Sequence, residues 1–376
     1  MIIGVPKERV AREKRVALVP ETVKRLVGRK HAVLVEAGAG AAASATDAEY
    51  AASGARVVAT REELFAEAQV LLKIQPPMDD ELALLRPGQA LFGLLQPLTS
   101  PELLQKLCAR GVDALSVDSI PRTTLAQMMD VLSSQATLAG YRAVLLAAEA
   151  LPKLFPLLMT AAGTLAPAKV LVLGAGVAGL QAIATARRLG AAVEAFDVRR
   201  AAKEQVESLG ARFVEVAGED AETKGGYAKE VSDDYKQRQS ALLHEHISRC
   251  DACITTAQIP GKRAPILITA EMVRAMRPRS VIVDAASDHG GNCALTKPGE
   301  RIVEGGVTII GELNLPAQVA VHASQMWSRN MEKLLLHLVG QDGPELRLDA
   351  TDEITRGVVT IRKGIVSDPR LQPGAK

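Results

Sequence analysis

The chain has 376 residues, with 45 lysines and arginines against 43 aspartates and glutamates, and the basic residues form no long block. Such a balance is not typical of proteins whose main ligand is nucleic acid or an anionic membrane surface, so the sequence excludes both classes. The length exceeds what one hydrophobic core usually serves and predicts two domains. Four cysteines imply no disulfide framework, and we expect a cytoplasmic protein without a metal site.

Short apolar stretches alternate with amphipathic segments in the first part of the chain. Strands are predicted at Ile2–Val5, Ala32–Glu36, Arg56–Val58, Val70–Ile74, Ala90–Leu95 and Ala114–Val117. Helices are predicted near Glu21–Gly28, Asp47–Ala52, Arg61–Ala66 and Ser100–Arg110. This alternation is typical of a parallel, doubly wound sheet with helices on its faces.

A polar segment, Ser119–Asp130, interrupts the alternation, and a long helix is predicted from there to about Glu149. A second alternating region begins at Ala168, with strands predicted at Val170–Leu173, Val193–Phe196, Arg212–Val216, Ala252–Thr256, Ser280–Asp284 and Thr308–Ile310. Strands in this arrangement are typical of a dinucleotide-binding fold. We therefore predict an α/β protein with two doubly wound parallel-sheet domains, the second a Rossmann dinucleotide-binding fold.

The rest of the chain predicts a discontinuous first domain. Segment 217–240, between the third and fourth strands of the second domain, is dense in Gly, Glu, Lys and Asp and is predicted to be a mobile loop. A final helix near Ala317–Val339 and a β-like stretch, Gly357–Val366, are expected to return to the first domain. The predicted boundaries are 1–132 with 320–376 for the first domain and 133–319 for the second.

The strongest ligand signal is an apolar run that ends in glycines and resumes at helical spacing. Gly174, Gly176 and Gly179 form G-x-G-x-x-G between a strand and a helix, the pattern that places a pyrophosphate on a helix N-terminus. Asp197 follows about 20 residues later, after the next strand, where a carboxylate accepts the ribose hydroxyls of NAD. The predicted cofactor contacts of this region are Gly174, Gly176, Val177, Ala178, Gly179, Asp197, Val198 and Arg199.

Two alternatives remain open at this region. Arg199 and Arg200 come directly after the acidic position and would tolerate the 2′-phosphate of NADP, although the Asp197 carboxylate favours NAD. The glycines would also suit a tight turn that binds no ligand.

Cys250 and Cys253 have the spacing of a redox or zinc pair. No second pair accompanies them, and Cys253 falls inside the apolar run Ala252–Thr256. We therefore interpret this cysteine as a buried strand residue.

Two stretches near the N-terminus, Gly4–Glu8 (GVPKE) and Glu13–Pro20 (EKRVALVP), resemble a known family. It is the family shared by alanine dehydrogenase and the NAD(H)-binding domain I of proton-translocating nicotinamide nucleotide transhydrogenase. Both relatives have a two-domain architecture, and the resemblance covers almost the whole chain.

The segment Ile120–Gln135 is similar to the transhydrogenase loop that carries Arg, Gln and Asp. The resemblance implies that Arg122, Asp130 and Ser133 hold the nicotinamide end of NAD(H). It also implies that Gln127 faces NADP(H) bound by a partner domain, and these four are the predicted catalytic residues. The cofactor contacts implied for the loop are Arg122, Thr123, Thr124, Gln127, Met128, Met129 and Asp130.

Further contacts are implied around the second domain. Gly226–Glu230 resembles the transhydrogenase loop that closes over the nucleotide, with Gly226 and Tyr227 as contact residues. Gln239, at the end of that segment, would also approach the nucleotide. Gln258 stands beside the adenosine, where an apolar residue is usual in the family, so this contact departs from the family pattern.

Several residues bear on the choice between the two family members. Alanine dehydrogenases hold their substrate with an Arg and a Lys and use a His as acid and base with an Asp, and by resemblance Arg15, Lys73 and Asp288 would fill three of these roles. The stretch Leu91–Pro97 resembles the one that bears the catalytic His, but it has Gln96, which cannot exchange a proton near neutral pH. His289 is weighed as a substitute and is more simply a polar loop residue.

The missing base favours transhydrogenase, because oxidation of an amino acid must release a proton whereas hydride transfer between two nicotinamides needs positioning and dryness. The expected protein is the NAD(H)-binding subunit of a proton-translocating transhydrogenase, with NADP(H) on a partner subunit and the membrane-spanning segments on other polypeptides. We expect a homodimer, peripheral on the cytosolic face of the inner membrane, with no nucleic acid partner. The alternatives are an NAD-dependent alanine or other amino-acid dehydrogenase, or a nucleotide-sensing module without chemistry.

Overall fold

A computed structural model describes residues 1–216, 233–259, 261–339, 345–349 and 351–371. Its strands are β1 (Ile2–Val5), β2 (Ala32–Glu36), β3 (Arg56–Val58), β4 (Val70–Leu72), β5 (Ala90–Gly93), β6 (Asp113–Ser116), β7 (Leu158–Thr160), β8 (Gly163–Leu165), β9 (Lys169–Leu173), β10 (Ala192–Phe196), β11 (Arg212–Val214), β12 (Ala252–Thr255), β13 (Val281–Asp284), β14 (Arg301–Glu304), β15 (Val307–Ile310), β16 (Val359–Arg362) and β17 (Ile365–Val366). Its helices are α1 (Pro20–Gly28), α2 (Asp47–Ala52), α3 (Arg61–Glu67), α4 (Asp79–Leu84), α5 (Pro101–Ala109), α6 (Val131–Ala150), α7 (Val177–Arg188), α8 (Ala202–Ser208), α9 (Asp233–Arg249), α10 (Ala270–Ala275), α11 (Ala320–Val339) and α12 (Glu353–Val358).

The chain divides into two compact units, described separately below. The first comprises Met1–Gln135 and Ala317–Lys376, and the second Ala136–Pro316. No helix in the described ranges is both long enough and apolar enough to cross a membrane.

The first unit is built on an eight-stranded sheet of order β17-β16-β6-β5-β4-β1-β2-β3. Strands β1 to β6 are parallel, as predicted, whereas β16 runs antiparallel to β6 and β17 antiparallel to β16. Alternate residues of β2 show why both faces are covered. Val33 and Val35 lie in the same core as Trp327 of α11, while Leu34 lies in the opposite core with Phe65 of α3.

Three details of this unit differ from the sequence prediction. The predicted β-like stretch begins too early, because the Asp352 carboxylate accepts a hydrogen bond from the Thr355 N–H at 2.7 Å and caps helix α12, which includes Gly357. Helix α4 was not predicted, since six residues are too few to show a helical period. Strands β4 and β5 each end two residues before their predicted ends.

The second unit has a seven-stranded sheet of order β11-β10-β9-β12-β13-β15-β14. All six predicted strands are present and parallel, so the Rossmann prediction is confirmed. The extra strand β14 pairs antiparallel with β15 at the edge, and its largely solvated residues give only a weak strand signal. The order reverses between β9 and β12, and the crevice at the carboxyl ends of strands at such a point is where doubly wound sheets bind ligands.

A separate antiparallel hairpin, formed by β7 and β8, also belongs to this unit. All of its strand residues are exposed. It joins neither large sheet among the described residues.

Candidate nucleotide-binding site

The glycine turn lies at the carboxyl end of β9, at the point where the strand order reverses. Gly174 has φ of 96°, and a Cβ atom there would lie 2.9 Å from the Thr256 hydroxyl oxygen. A Cβ on Gly179 would collide with the Gly174 carbonyl oxygen, so both positions require glycine for the fold itself. A Cβ on Gly176 would meet nothing within 4 Å. The middle glycine therefore leaves open space beside the turn, where a pyrophosphate could approach.

Helix α7 begins directly after this space, with Gly176 as its N-cap. Because glycine has no side chain, it leaves the first N–H groups of the helix without a side-chain acceptor. Val177 is 41% exposed, which keeps the helix start accessible. This arrangement suits an anion such as the pyrophosphate of a dinucleotide.

Gly140, which the sequence reading missed, brings two helices of this unit together. A Cβ there would collide with the carbonyl oxygen of Ala178, so α6 and α7 touch at the backbone. The available signal was a glycine in the interior of a helix, where it costs about 1 kcal/mol relative to alanine and usually has a packing reason.

Asp197 follows β10 and lies against the glycine turn. Its Oδ2 accepts the Ala175 N–H at 2.8 Å, and its Oδ1 accepts the Arg199 N–H at 2.9 Å. The Arg199 guanidinium binds the same carboxylate through Nε and Nη2, each at 2.9 Å. Val198, between them, is half-buried against the core. The predicted ribose acceptor is therefore held against the glycine turn.

Both arginines after the acidic position bind carboxylates. Arg199 pairs with Asp197, and the Arg200 Nε atom lies 3.5 Å from Glu215 Oε1. Lys203 Nζ binds the other oxygen of Glu215 at 2.8 Å. These contacts weigh against Arg199 and Arg200 as a ready site for a 2′-phosphate.

A second missed group supports the turn from the side of β12. The Thr256 hydroxyl donates to the Gly174 carbonyl at 2.9 Å. The buried Asn292 side chain binds both backbone groups of Ala257, accepting from N–H at 3.0 Å and donating to the carbonyl at 2.9 Å. Asp284 in turn accepts the Asn292 N–H at 2.8 Å. Only an acidic residue at the end of a buried strand hinted at this network in the sequence.

The remaining predicted cofactor contacts of this unit are Gln258, Gln239, Gly226 and Tyr227. Gln258 is exposed, just after β12, and Gln239 lies partly buried on α9. Gly226 and Tyr227, and with them the predicted mobile loop up to residue 232, lie outside the described residues.

The predicted nicotinamide loop lies in the first unit and is held at two points. Asp130 accepts the Ser133 N–H at 2.9 Å and the Ser133 hydroxyl at 2.6 Å, at the start of α6. Asn330 of α11 donates to the Met128 carbonyl at 2.9 Å and accepts the Ser134 hydroxyl at 2.7 Å. The loop is thus anchored by Asp130, which belongs to it, and by Asn330, which lies 202 residues after Met128 in the chain.

The side chains of this loop divide into exposed and buried groups. Arg122, Thr124, Gln127 and Met128 are exposed, and Thr123, Asp130 and Ser133 are partly buried. Met129, predicted as a cofactor contact, is 4% exposed and packs in the core of the first unit, so its side chain supports the loop from below.

Comparison with known proteins places this geometry in a family. The family model described as "Alanine dehydrogenase/PNT, N-terminal domain" matches residues 4–139, and the corresponding C-terminal domain matches residues 143–369. The chain belongs to the alanine dehydrogenase/PNT family.

Three members show where the chain lies within this alanine dehydrogenase/PNT family. It is 47% identical to the Rhodospirillum rubrum protein named as the first part of NAD(P) transhydrogenase subunit alpha, over 99% of each chain. It is similar to the crystal structure of transhydrogenase from Sinorhizobium meliloti, with TM-score 0.87, 42% identity and coverage of 97% of this chain and 100% of that one. It is 34% identical to the alanine dehydrogenase of Halomonas elongata, over 86% of this chain and 84% of that one.

Arg15 and Lys73, the two basic residues that resemble the substrate-holding pair of alanine dehydrogenases, are both paired with acids. Arg15 binds Glu13 through Nε at 2.8 Å and Nη2 at 2.6 Å. Burial raises the pKa of Glu13, but the hydrogen bonds and charge of Arg15 outweigh it and lower the pKa to about 2. Lys73 is 1% exposed, and its Nζ lies 3.4 Å from Glu8 and 3.2 Å from Glu81.

The other two dehydrogenase positions are on the surface of their own units. Gln96 is exposed, with φ of 49°, and its N–H donates to Asp118 at 3.1 Å. Asp288 accepts the Asn314 N–H at 3.0 Å. An amide at 96 offers no group that can take up a proton near neutral pH.

Cys253 of the cysteine pair is a buried strand residue, as predicted. Cys253 is fully buried in β12, and the hydrogen bond between its thiol and Cys250, together with burial, raises the pKa of that thiol well above the ordinary value. Cys250 Sγ donates to the Ile247 carbonyl at 3.3 Å. Across the described ranges, no group of three His, Cys, Asp or Glu residues is arranged to hold a metal ion.

Proposed function

We propose that the chain is the NAD(H)-binding subunit of a proton-translocating transhydrogenase. It passes hydride between its own NAD(H) and NADP(H) held by a partner subunit, and the reaction is coupled to proton movement through membrane subunits. The observation that carries the proposal is Gln96, which leaves a chain with a complete dinucleotide turn and no base where the dehydrogenases of the family have one.

The contacts described above support the proposed cofactor sites. The pyrophosphate of NAD(H) would lie on the N-terminus of α7 over Gly176, and the adenosine ribose would lie at Asp197. By resemblance, Arg122, Asp130 and Ser133 hold the nicotinamide end. The nicotinamide supplies the hydride chemistry, so the protein has only to position the ring and exclude water.

Gln127 is the proposed contact with NADP(H). Its side chain is exposed, whereas the neighbouring Ala126 and Met129 are buried and the Met128 backbone is bound by Asn330. An exposed residue on an anchored backbone can meet a partner's ligand in a defined position, which hydride transfer requires.

We propose a homodimer formed through the exposed hairpin of the second unit. Leu158, Met159 and Leu165 of β7 and β8 are 40%, 73% and 54% exposed. The same unit has a cleft of about 520 Å³ lined largely by apolar side chains, including Leu151 and Leu189. A second copy would supply a hairpin to each cleft, which gives a closed, two-fold interface.

Analytical ultracentrifugation tests this interface. Met159→Asp should be a monomer, while Val303→Asp, at another exposed apolar residue of this unit, should remain dimeric.

The NADP(H)-binding and membrane-spanning functions are proposed to lie on partner subunits. The relative from Rhodospirillum rubrum is itself named as a portion of a subunit, and it matches this chain over 99% of each length. Docking on such partners would place the chain on the cytosolic face of the inner membrane.

One assay distinguishes this function from its alternative. The purified chain should bind NADH and oxidise no alanine, and addition of an NADP(H)-binding transhydrogenase subunit should start hydride transfer between the two nucleotides. NAD-dependent oxidation of alanine by the isolated chain would instead establish the amino-acid dehydrogenase. Binding of NADH with no turnover under either condition would leave a nucleotide sensor.

A further inference from the structure

The carboxylate of Asp197 is fully engaged within the protein. Oδ1 accepts the backbone N–H and the Nε–H of Arg199, each at 2.9 Å. Oδ2 accepts the Ala175 N–H at 2.8 Å and the Nη2–H of Arg199 at 2.9 Å. An ionised carboxylate offers about four lone-pair positions. All of them are used, two by the Arg199 guanidinium.

A ribose diol needs two of these positions, and the four donors differ in their freedom to leave. The N–H groups of Ala175 and Arg199 are fixed, because both belong to the backbone at the ends of β9 and β10. The guanidinium is carried by a flexible side chain that is 20% exposed. It is therefore the group that can give way.

We propose that Arg199 sets the nucleotide affinity and specificity of this site, because its guanidinium competes with the adenosine ribose of NAD(H) for Asp197. The side chain must swing off the carboxylate before the ribose diol can bind. The inference rests on the proposed function to the extent that NAD(H) is the ligand.

The same movement bears on the choice of nucleotide. The 2′-phosphate of NADPH would meet the Asp197 carboxylate as a like charge. A guanidinium released from that carboxylate is a cation two residues away and would offset part of the repulsion. Arg199 thus opposes NADH and tolerates NADPH, and its removal should widen the preference for NADH.

The chain offers a matched control for this test. Arg200 is the next residue and has the same charge, but it pairs with Glu215 and is 55% exposed. Arg200→Gln removes the same charge from the same surface and leaves Asp197 covered. A change in affinity caused only by weaker attraction for the pyrophosphate should therefore appear in both Arg199→Gln and Arg200→Gln.

Calorimetric titration of the full chain with NADH and with NADPH tests the proposal. Arg199→Gln should bind NADH about two- to fivefold more tightly than the wild type, as expected for release of a partly exposed ion pair. It should bind NADPH more weakly. Arg199→Lys keeps the charge but loses the bidentate contact, so its affinity for NADH should lie between that of the wild type and that of Arg199→Gln. Arg200→Gln should show no gain. A gain in affinity cannot come from misfolding.

A further variant distinguishes failure of this proposal from failure of the proposed cofactor site. If Asp197→Asn weakens NADH binding and Arg199→Gln leaves it unchanged or weaker, the site is correct and the competition is wrong. If neither substitution changes NADH affinity, the assignment of the ribose to Asp197 falls as well. The gain from Arg199→Gln should also vanish in the Asp197→Asn background, because the competition acts through that carboxylate. A gain that persists there would overturn the mechanism.

Discussion

The carbonyl oxygen of Gly174 occupies the space that a Cβ atom on Gly179 would need. The end of β9 and the first turn of α7 therefore approach each other closely, on either side of Gly176. The turn thus has two glycines required by packing and one that faces open space.

The two kinds of glycine should respond differently to substitution. Gly179→Ala forces the turn apart and should lower the free energy of unfolding by about 1–3 kcal/mol, with loss of NADH binding. Gly176→Ala has room and should stay within about 1 kcal/mol of the wild type, yet its methyl group would crowd the pyrophosphate and weaken NADH binding. Urea unfolding and calorimetry check the pair. Equal stability losses in both variants would contradict this division.

Gln127 should matter for the rate and not for NADH affinity. Gln127→Asn shortens the side chain while leaving the proposed pyrophosphate and ribose contacts intact. A misplacement of about 1 Å can cost on the order of 100-fold in rate. Hydride transfer with the NADP(H)-binding partner should therefore slow, with NADH affinity nearly unchanged. Full transfer rate in this variant would remove Gln127 from the proposed reaction.

The anchor between Asn330 and the Met128 carbonyl should be needed for the same step. Asn330→Ala removes the donor to that carbonyl and the acceptor of the Ser134 hydroxyl, and should cost about 1–3 kcal/mol of stability. The loosened loop should slow hydride transfer more than it weakens NADH binding. Ser134→Ala loses only the hydroxyl contact and serves as the control, with a rate near that of the wild type. Equal rate losses in the two variants would show that the Met128 contact is unimportant.

The ion pair between Glu13 and Arg15 should make stability fall in acid. The folded pKa of Glu13 is about 2, whereas an unfolded glutamate titrates at about 4.3. Its contribution is therefore complete above the unfolded value and is lost as the pH falls toward the folded one. Glu13→Gln should lower the free energy of unfolding by about 1.5–3 kcal/mol at pH 6. Between pH 5 and pH 3, the stability of this variant should fall less steeply than that of the wild type.

Urea unfolding at several pH values measures both effects. Glu67→Gln, which removes an exposed partner of Arg56, is the control and should leave the free energy of unfolding nearly unchanged. Parallel pH profiles for the wild type and Glu13→Gln would contradict the assignment of the low pKa to Glu13.

Features that depend on neighbouring residues could be predicted from the sequence. The alternation of apolar strands and amphipathic helices indicated both parallel sheets, because a strand buried on two faces must be apolar along its length. The glycine turn could also be predicted from neighbouring residues, because its pattern lies between a strand and a helix that are adjacent in the chain. Edge strand β14 and helix α12 were missed because solvated or very short elements have little periodicity.

Contacts between distant residues were settled only by the folded structure. Asn292 reaches Ala257 across 35 residues, and Asn330 reaches Met128 across 202, and no local pattern relates such positions. The pairing of Arg199 with Asp197 is local in sequence, but whether a guanidinium lies on a carboxylate or points into solvent depends on side-chain torsions and on what surrounds them. The sequence placed an acid at the predicted ribose position, and only the folded structure determined that all four of its acceptor positions are already filled.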